Sequence, residues 1–309
     1  MKKSWEDAEQ DQISNSMKSI VLGQDKFEFI GGTTTLLVDL SVSLVKQGYK
    51  VYYWSTDIGK HSITEEWFQS HNVEMYLNQP VDLAITCQQT ATMFFLNKCK
   101  VLQLLNSKFT SLEYPVPGAL HISVSHEIGD FVKQKFGEET SVILNGIDLD
   151  RYKPTGELYK VPRVFSICQG DDSLLKQACV ELGYKFNSVP KNVDSRIWNV
   201  EDYIKDSDIV VGIGRSAMVG MACGKCVISW DNRELNPNTG CGYIKPDNFY
   251  EYAYTNLTGR GYPPIDTVEK LKNELLKYDP NDGNILRQIA EVRLNADTNA
   301  TIYINKLEG

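Results

Sequence analysis

The chain has 309 residues, 42% of them hydrophobic and 23% charged, with a formal net charge of -8. This composition excludes a mostly disordered chain. Neither half is basic, which argues against nucleic acid or an anionic membrane as a partner, since both draw their affinity from a basic face.

No apolar run approaches the roughly 18 residues of a membrane-crossing helix, so no integral membrane segment is expected. Residues 1–18 carry lysines with no apolar stretch behind them and are expected not to act as a secretory leader. The seven cysteines are odd in number and scattered. Cys223 and Cys226 form a C-x-x-C in an apolar turn, without a second pair at zinc-site spacing. They read as structural thiols in a reducing, cytoplasmic compartment.

The first predicted strand is Ser19–Leu22. Gly31 and Gly32 follow, then a helix over Thr33–Gln47 whose leucines 36, 37, 40 and 44 recur at helical spacing and which stops at Gly48. Lys50–Trp54 is the next strand, which completes one strand–helix–strand unit of a parallel sheet. Asp82–Thr86, Lys100–Leu105 and Leu120–Val124 read as buried strands, Glu127–Phe136 as a helix, and Ser141–Leu144 as the strand that closes the first half.

The pattern then breaks. Asn145–Asp148 has turn chemistry and Lys153–Glu157 reads as a linker. Alternation restarts at Arg163–Cys168, followed by a helix over Ser173–Leu182, a strand Asp208–Val211, a helix Ser216–Ala222 and a strand Cys226–Trp230. Helices at about 247–255, 268–276 and 284–306 complete the chain. Two parallel-sheet domains meeting near residue 154 fit this better than a barrel, which needs eight regular units.

Open parallel sheets bind ligands at the carboxyl ends of their strands, and three glycine turns fall there. At Phe29–Thr33, Gly31 and Gly32 permit close approach of a ligand to a helix N-terminus; the alternative is a tight turn capped by Thr33. At Val211–Ser216, Gly212 and Gly214 turn the chain, and Arg215 and Ser216 open a helix, an arrangement that suits a phosphate. At Cys168–Ser173, Gln169 and Gly170 are candidates for the cleft floor, while Asp171 and Asp172 read as helix caps.

The order of these segments resembles a GT-B glycosyltransferase of the large family that includes many retaining sugar transferases, glycosyltransferase family 4. The resemblance is carried by Gly31-Gly32 with the leucines behind them, Ser123–Ser125, Ile143–Asp148 with Arg151–Pro154, Asp208–Ala217 with Met221–Ile228, and Asn256–Arg260. It implies an α/β fold of two Rossmann-like domains facing a cleft. An acceptor domain would span 1–154 and a nucleotide-sugar domain 155–292, with a C-terminal helix, about 293–309, joining the first. The implied activity is transfer of a sugar from a nucleotide-diphosphate sugar to a sugar or glycan acceptor, with retention, and without metal or cofactor.

Donor contacts then fall on Gly212, Gly214, Arg215, Ser216, Gly170, Gln169 and Glu234, with Asp231 as an alternative to Glu234 for sugar hydroxyls. Gly31, Gly32 and Thr33 form an acceptor or phosphate loop, and Gln88, Asn145 and His126 lie in the cleft. Arg215 is expected to be exposed there and to hold the diphosphate, with Lys176 next in line.

The pattern also departs from the family. Its two glutamates, eight residues apart, are Val211 and Val219 here, the second at the position associated with ribose. Its phosphate-binding Arg and Lys are missing from Ser166–Asp172. Its first-domain histidine is replaced around Thr86–Gln88, and His121 and His126 read as packing or capping residues before catalysts. A second reading follows: a catalytically silent homologue that acts as partner to an active transferase.

Overall fold

The computed structural model describes residues 17–27, 30–56, 62–155, 159–190, 197–234 and 236–309, the side chain of Asn236 excepted. The polar start before residue 17, Phe29 of the first glycine turn, and Gly156 and Glu157 of the linker lie outside the described residues.

Seven parallel strands form the first sheet. They are β1 Ser19–Gly23, β2 Lys50–Trp54, β3 Val73–Met75, β4 Leu83–Thr86, β5 Lys100–Leu105, β6 Leu120–Ser123 and β7 Ser141–Val142. Their spatial order is β3-β2-β1-β4-β5-β6-β7. The central strands are buried on both faces, as a parallel sheet covered by helices requires. Helix α1, Gly32–Lys46, follows β1 and buries Leu36, Leu37, Leu40 and Leu44 against the sheet. Helices α2 Ile63–Ser70, α3 Gln89–Leu96 and α4 His126–Phe136 complete the half. β3, α2 and α3 have no counterpart in the sequence reading: all are short, and Val73–Met75 is too brief to show alternation.

The second sheet holds β8 Arg163–Ser166, β9 Lys185–Ser188, β10 Ile209–Val211, β11 Cys226–Arg233 and β12 Asn236–Ile244, in the order β12-β11-β10-β8-β9. β12 runs antiparallel to β11. Its Asn, Pro and Gly content reads as loop, yet a Cβ on Gly240 would lie 2.0 Å from the Ser229 carbonyl oxygen. Glycine is what lets this strand press against its bulged partner. Helices α5 Ser173–Leu182, α6 Val200–Ile204, α7 Arg215–Ala222, α8 Phe249–Ala253 and α9 Val268–Leu275 surround this sheet.

The single terminal helix expected at about 284–306 is two helices, α10 Pro280–Arg293 and α11 Ala296–Glu308. The break has a physical cause. Ile147 and Asn295 form a parallel bridge, with Ile147 N–H on the Leu294 carbonyl (2.6 Å) and Ala296 N–H on the Ile147 carbonyl (3.1 Å). Asn295 then caps α11 by accepting from Asp297 N–H. The chain thus crosses between the sheets twice, and the two passages are tied to each other. Beyond the break, Ala300, Tyr303, Ile304 and Leu307 join the core formed by α1 and the first sheet.

Candidate functional site

A cavity of about 630 Å³ lies between the sheets, within the range of small-ligand sites. Its walls are the turns at the carboxyl ends of β1, β8, β10 and β11, together with Tyr152, Val189, Trp198 and Val200.

The first wall comes from the β1–α1 connection. Gly31 is the N-cap of α1, in extended backbone and with no side-chain capping bond among the described residues. Thr33 is therefore not the cap. It sits in the first turn and is not among the cavity-lining residues, whereas Gly31, Gly32 and Thr35 are. A Cβ added to Gly31 or Gly32 would meet nothing within 4 Å. Packing among the described residues does not require glycine at either position, so these residues leave open room beside the positive end of a helix.

The opposite wall is the β10–α7 turn. Gly214, the N-cap of α7, has φ 57° and ψ -127°, a conformation reserved for glycine. A Cβ on Gly212 would crowd Ser216 Cβ at 2.9 Å. Ser216 lines the cavity.

Arg215 requires a correction. It lines the cavity, but its side chain is only 7% exposed and is committed elsewhere. Nη2 makes an ion pair with Asp39 of α1 and donates to the Thr35 carbonyl at 3.1 Å; Nη1 donates to the Gly146 carbonyl at 2.6 Å. Both nitrogens of the guanidinium fork clamp the two sheets' helices and the chain crossing. Nε alone has no partner among the described residues. An arginine at a helix start after two glycines suggests a phosphate in the sequence; the partner 176 residues away was invisible there.

The β8–α5 turn is held by Asp231, whose buried carboxylate accepts from the N–H groups of Gln169 (3.2 Å), Gly170 (3.0 Å) and Asn232 (2.8 Å). Asp231 is thus a scaffold for the turn, and it is not among the cavity-lining residues. Gly170 lies so close to β11 that a Cβ would fall 1.9 Å from the Asn232 carbonyl oxygen. Asp172 is the N-cap of α5 without a side-chain capping bond among the described residues, while Asp171, one residue earlier, accepts from Ser173 N–H (3.1 Å) and Oγ (2.6 Å). Gln169 and Glu234 are exposed and line the cavity.

The other expected cleft residues do not line it. Gln88 is the N-cap of α3 and accepts from Asp25 N–H at 2.7 Å. Asn145 is buried at the chain crossing. His126 opens α4 and stacks on Tyr254, part of a second clamp between the halves in which Glu127 pairs with Arg260 and Tyr254 hydroxyl donates to Asp130. His121 bonds Glu138 and the Val116 carbonyl. Lys176 is exposed on α5, away from the cavity.

Two Asp-x-Asp spacings exist in the chain, and both are occupied outside the cavity. Asp148 accepts from Asp150 N–H, and Asp150 pairs with Lys46; Asp208 accepts from Arg163 N–H. The seven thiols are free of disulfides, and burial pushes those of Cys223 and Cys226 up to about 12 and about 11.

The sequence reading passed over Arg233 and Trp198. Arg233 ends β11, lines the cavity and lies 3.4 Å from Asp231, with 38% of its side chain exposed. Its position at a strand's carboxyl end was a usable signal. Trp198 lines the cavity beside Arg151, whose guanidinium is held by Glu201 (2.8 Å) and lies over the rings of Trp67 and Trp198, which meet edge to face. Nothing local in the sequence brings those aromatics together.

No protein-family model and no curated protein matches the chain. Solved structures do. HepE of Anabaena, in complex with UDP and glucose, is similar at a TM-score of 0.62 and 15% identity, over 94% of this chain and 99% of that one. A glycosyltransferase from Rickettsia africae is similar at 0.63 and 13%, over 95% and 98%. UDP-GlcNAc 2-epimerase from Neisseria meningitidis, bound to UDP-GlcNAc, is similar at 0.56 and 10%, over 94% and 99%. Likeness at such identities establishes architecture. The chain has the GT-B fold, two Rossmann-like domains facing a cleft.

Proposed function

We propose that this protein is a glycosyltransferase that takes a nucleoside-diphosphate sugar into the cleft, with the diphosphate between the N-termini of α1 and α7. The observation that carries the reading is the open room at Gly31 and Gly32, glycines that no packing among the described residues requires, facing the α7 turn across one cavity. Two helix starts without a side-chain cap turn their positive dipole ends to where a leaving diphosphate gains charge; at α7 the N–H groups of Ser216 and Gly214 are already bonded to the Ile213 and Leu257 carbonyls, so the dipole end acts there more than those two donors. Arg233, partly exposed at the cavity and paired with Asp231, is a cation that can turn toward it. The exposed Glu234 and Gln169 are the groups for hydroxyls of the transferred sugar. The nucleoside lies on the second domain, against Trp198 and Val189, and the acceptor enters from the first. The anomeric carbon gains positive charge as its bond to the diphosphate oxygen breaks, and the acceptor hydroxyl oxygen bonds to that carbon on the same face, its proton passing to the departing diphosphate oxygen, so that configuration is retained. The scheme places the charge stabilisation on helix ends and Arg233 and calls for no metal. UDP-bound and UDP-sugar-bound neighbours of the same fold support a nucleotide sugar as the donor class.

A second reading keeps the binding and drops the chemistry. Arg215 is spent on Asp39, and His126 and His121 lie outside the cavity, so neither histidine can serve there as a general base. Release of nucleoside diphosphate from a panel of nucleotide hexoses, in the presence of an array of sugar acceptors, separates the two. Turnover with any donor supports the transferase; binding without turnover across the panel supports a silent partner of another transferase, working in the cytoplasm.

A further inference from the structure

We infer that the nucleotide site accepts ribo- and 2′-deoxyribonucleoside diphosphates alike, because the pentose lies against the methyl groups of Val219 and the aliphatic wall around it. This rests on the proposed nucleotide reading of the cleft.

Ser216 and Val219 are three residues apart on α7 and both line the cavity, so they share one face of that helix. A diphosphate at the N-terminus of α7 puts the pentose about one helical turn further along, roughly 5 Å. Val219 occupies that place. Ile167, Val189 and Val200 continue the wall around it. The carboxylates of the cavity stand elsewhere: Asp171 is bonded to Ser173 at the start of α5, and Glu234 lies beyond the end of β11. None of the four side chains Val219, Ile167, Val189 and Val200 offers a hydrogen bond to a 2′-hydroxyl. A site that bonds a substrate hydroxyl rejects the analogue without it by tenfold or more, because its own polar group is left unpaired. A valine leaves nothing unpaired.

The test is calorimetric titration of the wild-type protein with matched pairs: UDP and 2′-deoxy-UDP, ADP and 2′-deoxy-ADP, GDP and 2′-deoxy-GDP. For the base that binds, the two members are expected to agree within threefold. A ribo member tighter by more than threefold overturns the inference. Val219→Glu is expected to favour the ribo member by about tenfold. If that variant does not melt cooperatively, Val219→Thr takes its place, with a shift of at least threefold expected. An unchanged ratio in a folded variant shows that the pentose does not lie over this residue and overturns the inference. Binding of no pair at all removes the nucleotide reading itself and this inference with it; binding with strong ribose preference removes only the inference.

Discussion

Asp39 of α1 and Arg215 of α7 form a buried ion pair across the domain cleft, their side chains 1% and 7% exposed. Asp39 also accepts from the N–H of Asp148 at 3.0 Å, at the crossing between domains. The pair therefore ties both domains and the hinge segment to one point, and it replaces the exposed phosphate-binding arginine that the sequence suggested.

Breaking such a pair from one side strands a buried charge and costs about 3–5 kcal/mol. Arg215→Ala and Asp39→Asn are each expected to lower stability by an amount of that order in urea denaturation. Asp39→Leu combined with Arg215→Met should recover most of the loss, since apolar replacement of both partners removes the stranded charge. A loss under 1 kcal/mol in both single variants would mean that the pair does not hold the domains together.

Arg233 should behave in the opposite way. Its side chain is partly exposed, with Nε 3.4 Å from the Asp231 carboxylate. Arg233→Ala is expected to weaken nucleoside-diphosphate binding about tenfold, the low end for a hydrogen bond to a charged group, and to leave the melting temperature unchanged. Equal affinity in the variant and the wild type would take Arg233 out of the site.

Glu113, in the short 3-10 turn Ser111–Glu113 between β5 and β6, supplies a pH signature. Burial raises its carboxyl to about 7, against the opposing pull of the Asn106 and Ser107 N–H groups, and Oε2 has no partner among the described residues. Unfolded, the group titrates near 4.5. Between those values the folded state keeps a proton that the unfolded state has released. Stability should therefore fall as pH rises from about 4.5 to about 7, by about 3 kcal/mol at most, and this contribution should level off above. Glu113→Gln should remove that slope, so that its advantage over wild type grows between pH 5 and pH 8 in denaturant titrations. Parallel pH profiles for the two proteins would contradict the assignment.

The strands with continuous apolar runs are legible in the amino-acid sequence: Lys50–Trp54 and Lys100–Leu105 occupy the expected residues, and Ser173–Leu182 is helical as its period requires. β12 is not legible there, because its glycines serve close approach to β11 and erase the strand composition. The split between α10 and α11 is equally hidden, since it follows from a bridge to Ile147, distant in sequence. The glycine turns of the site can be located because strand ends and helix starts are local features. What their side chains do depends on partners far along the chain, as Asp231 beneath Gly170 and Asp39 beside Arg215 both demonstrate.

The central claim, a diphosphate seated between the N-termini of α1 and α7, is tested most directly by calorimetric titration of nucleoside diphosphates into the wild type and into the double variant Gly31→Val, Gly32→Val. Gly31 has φ -129°, open to any residue, and added side chains there and at Gly32 enter open cleft. The variant should fold with a melting temperature close to wild type, and its affinity should drop at least tenfold because the side chains fill the phosphate position. Equal affinity in the two proteins, or no nucleotide binding by the wild type, would contradict the claim.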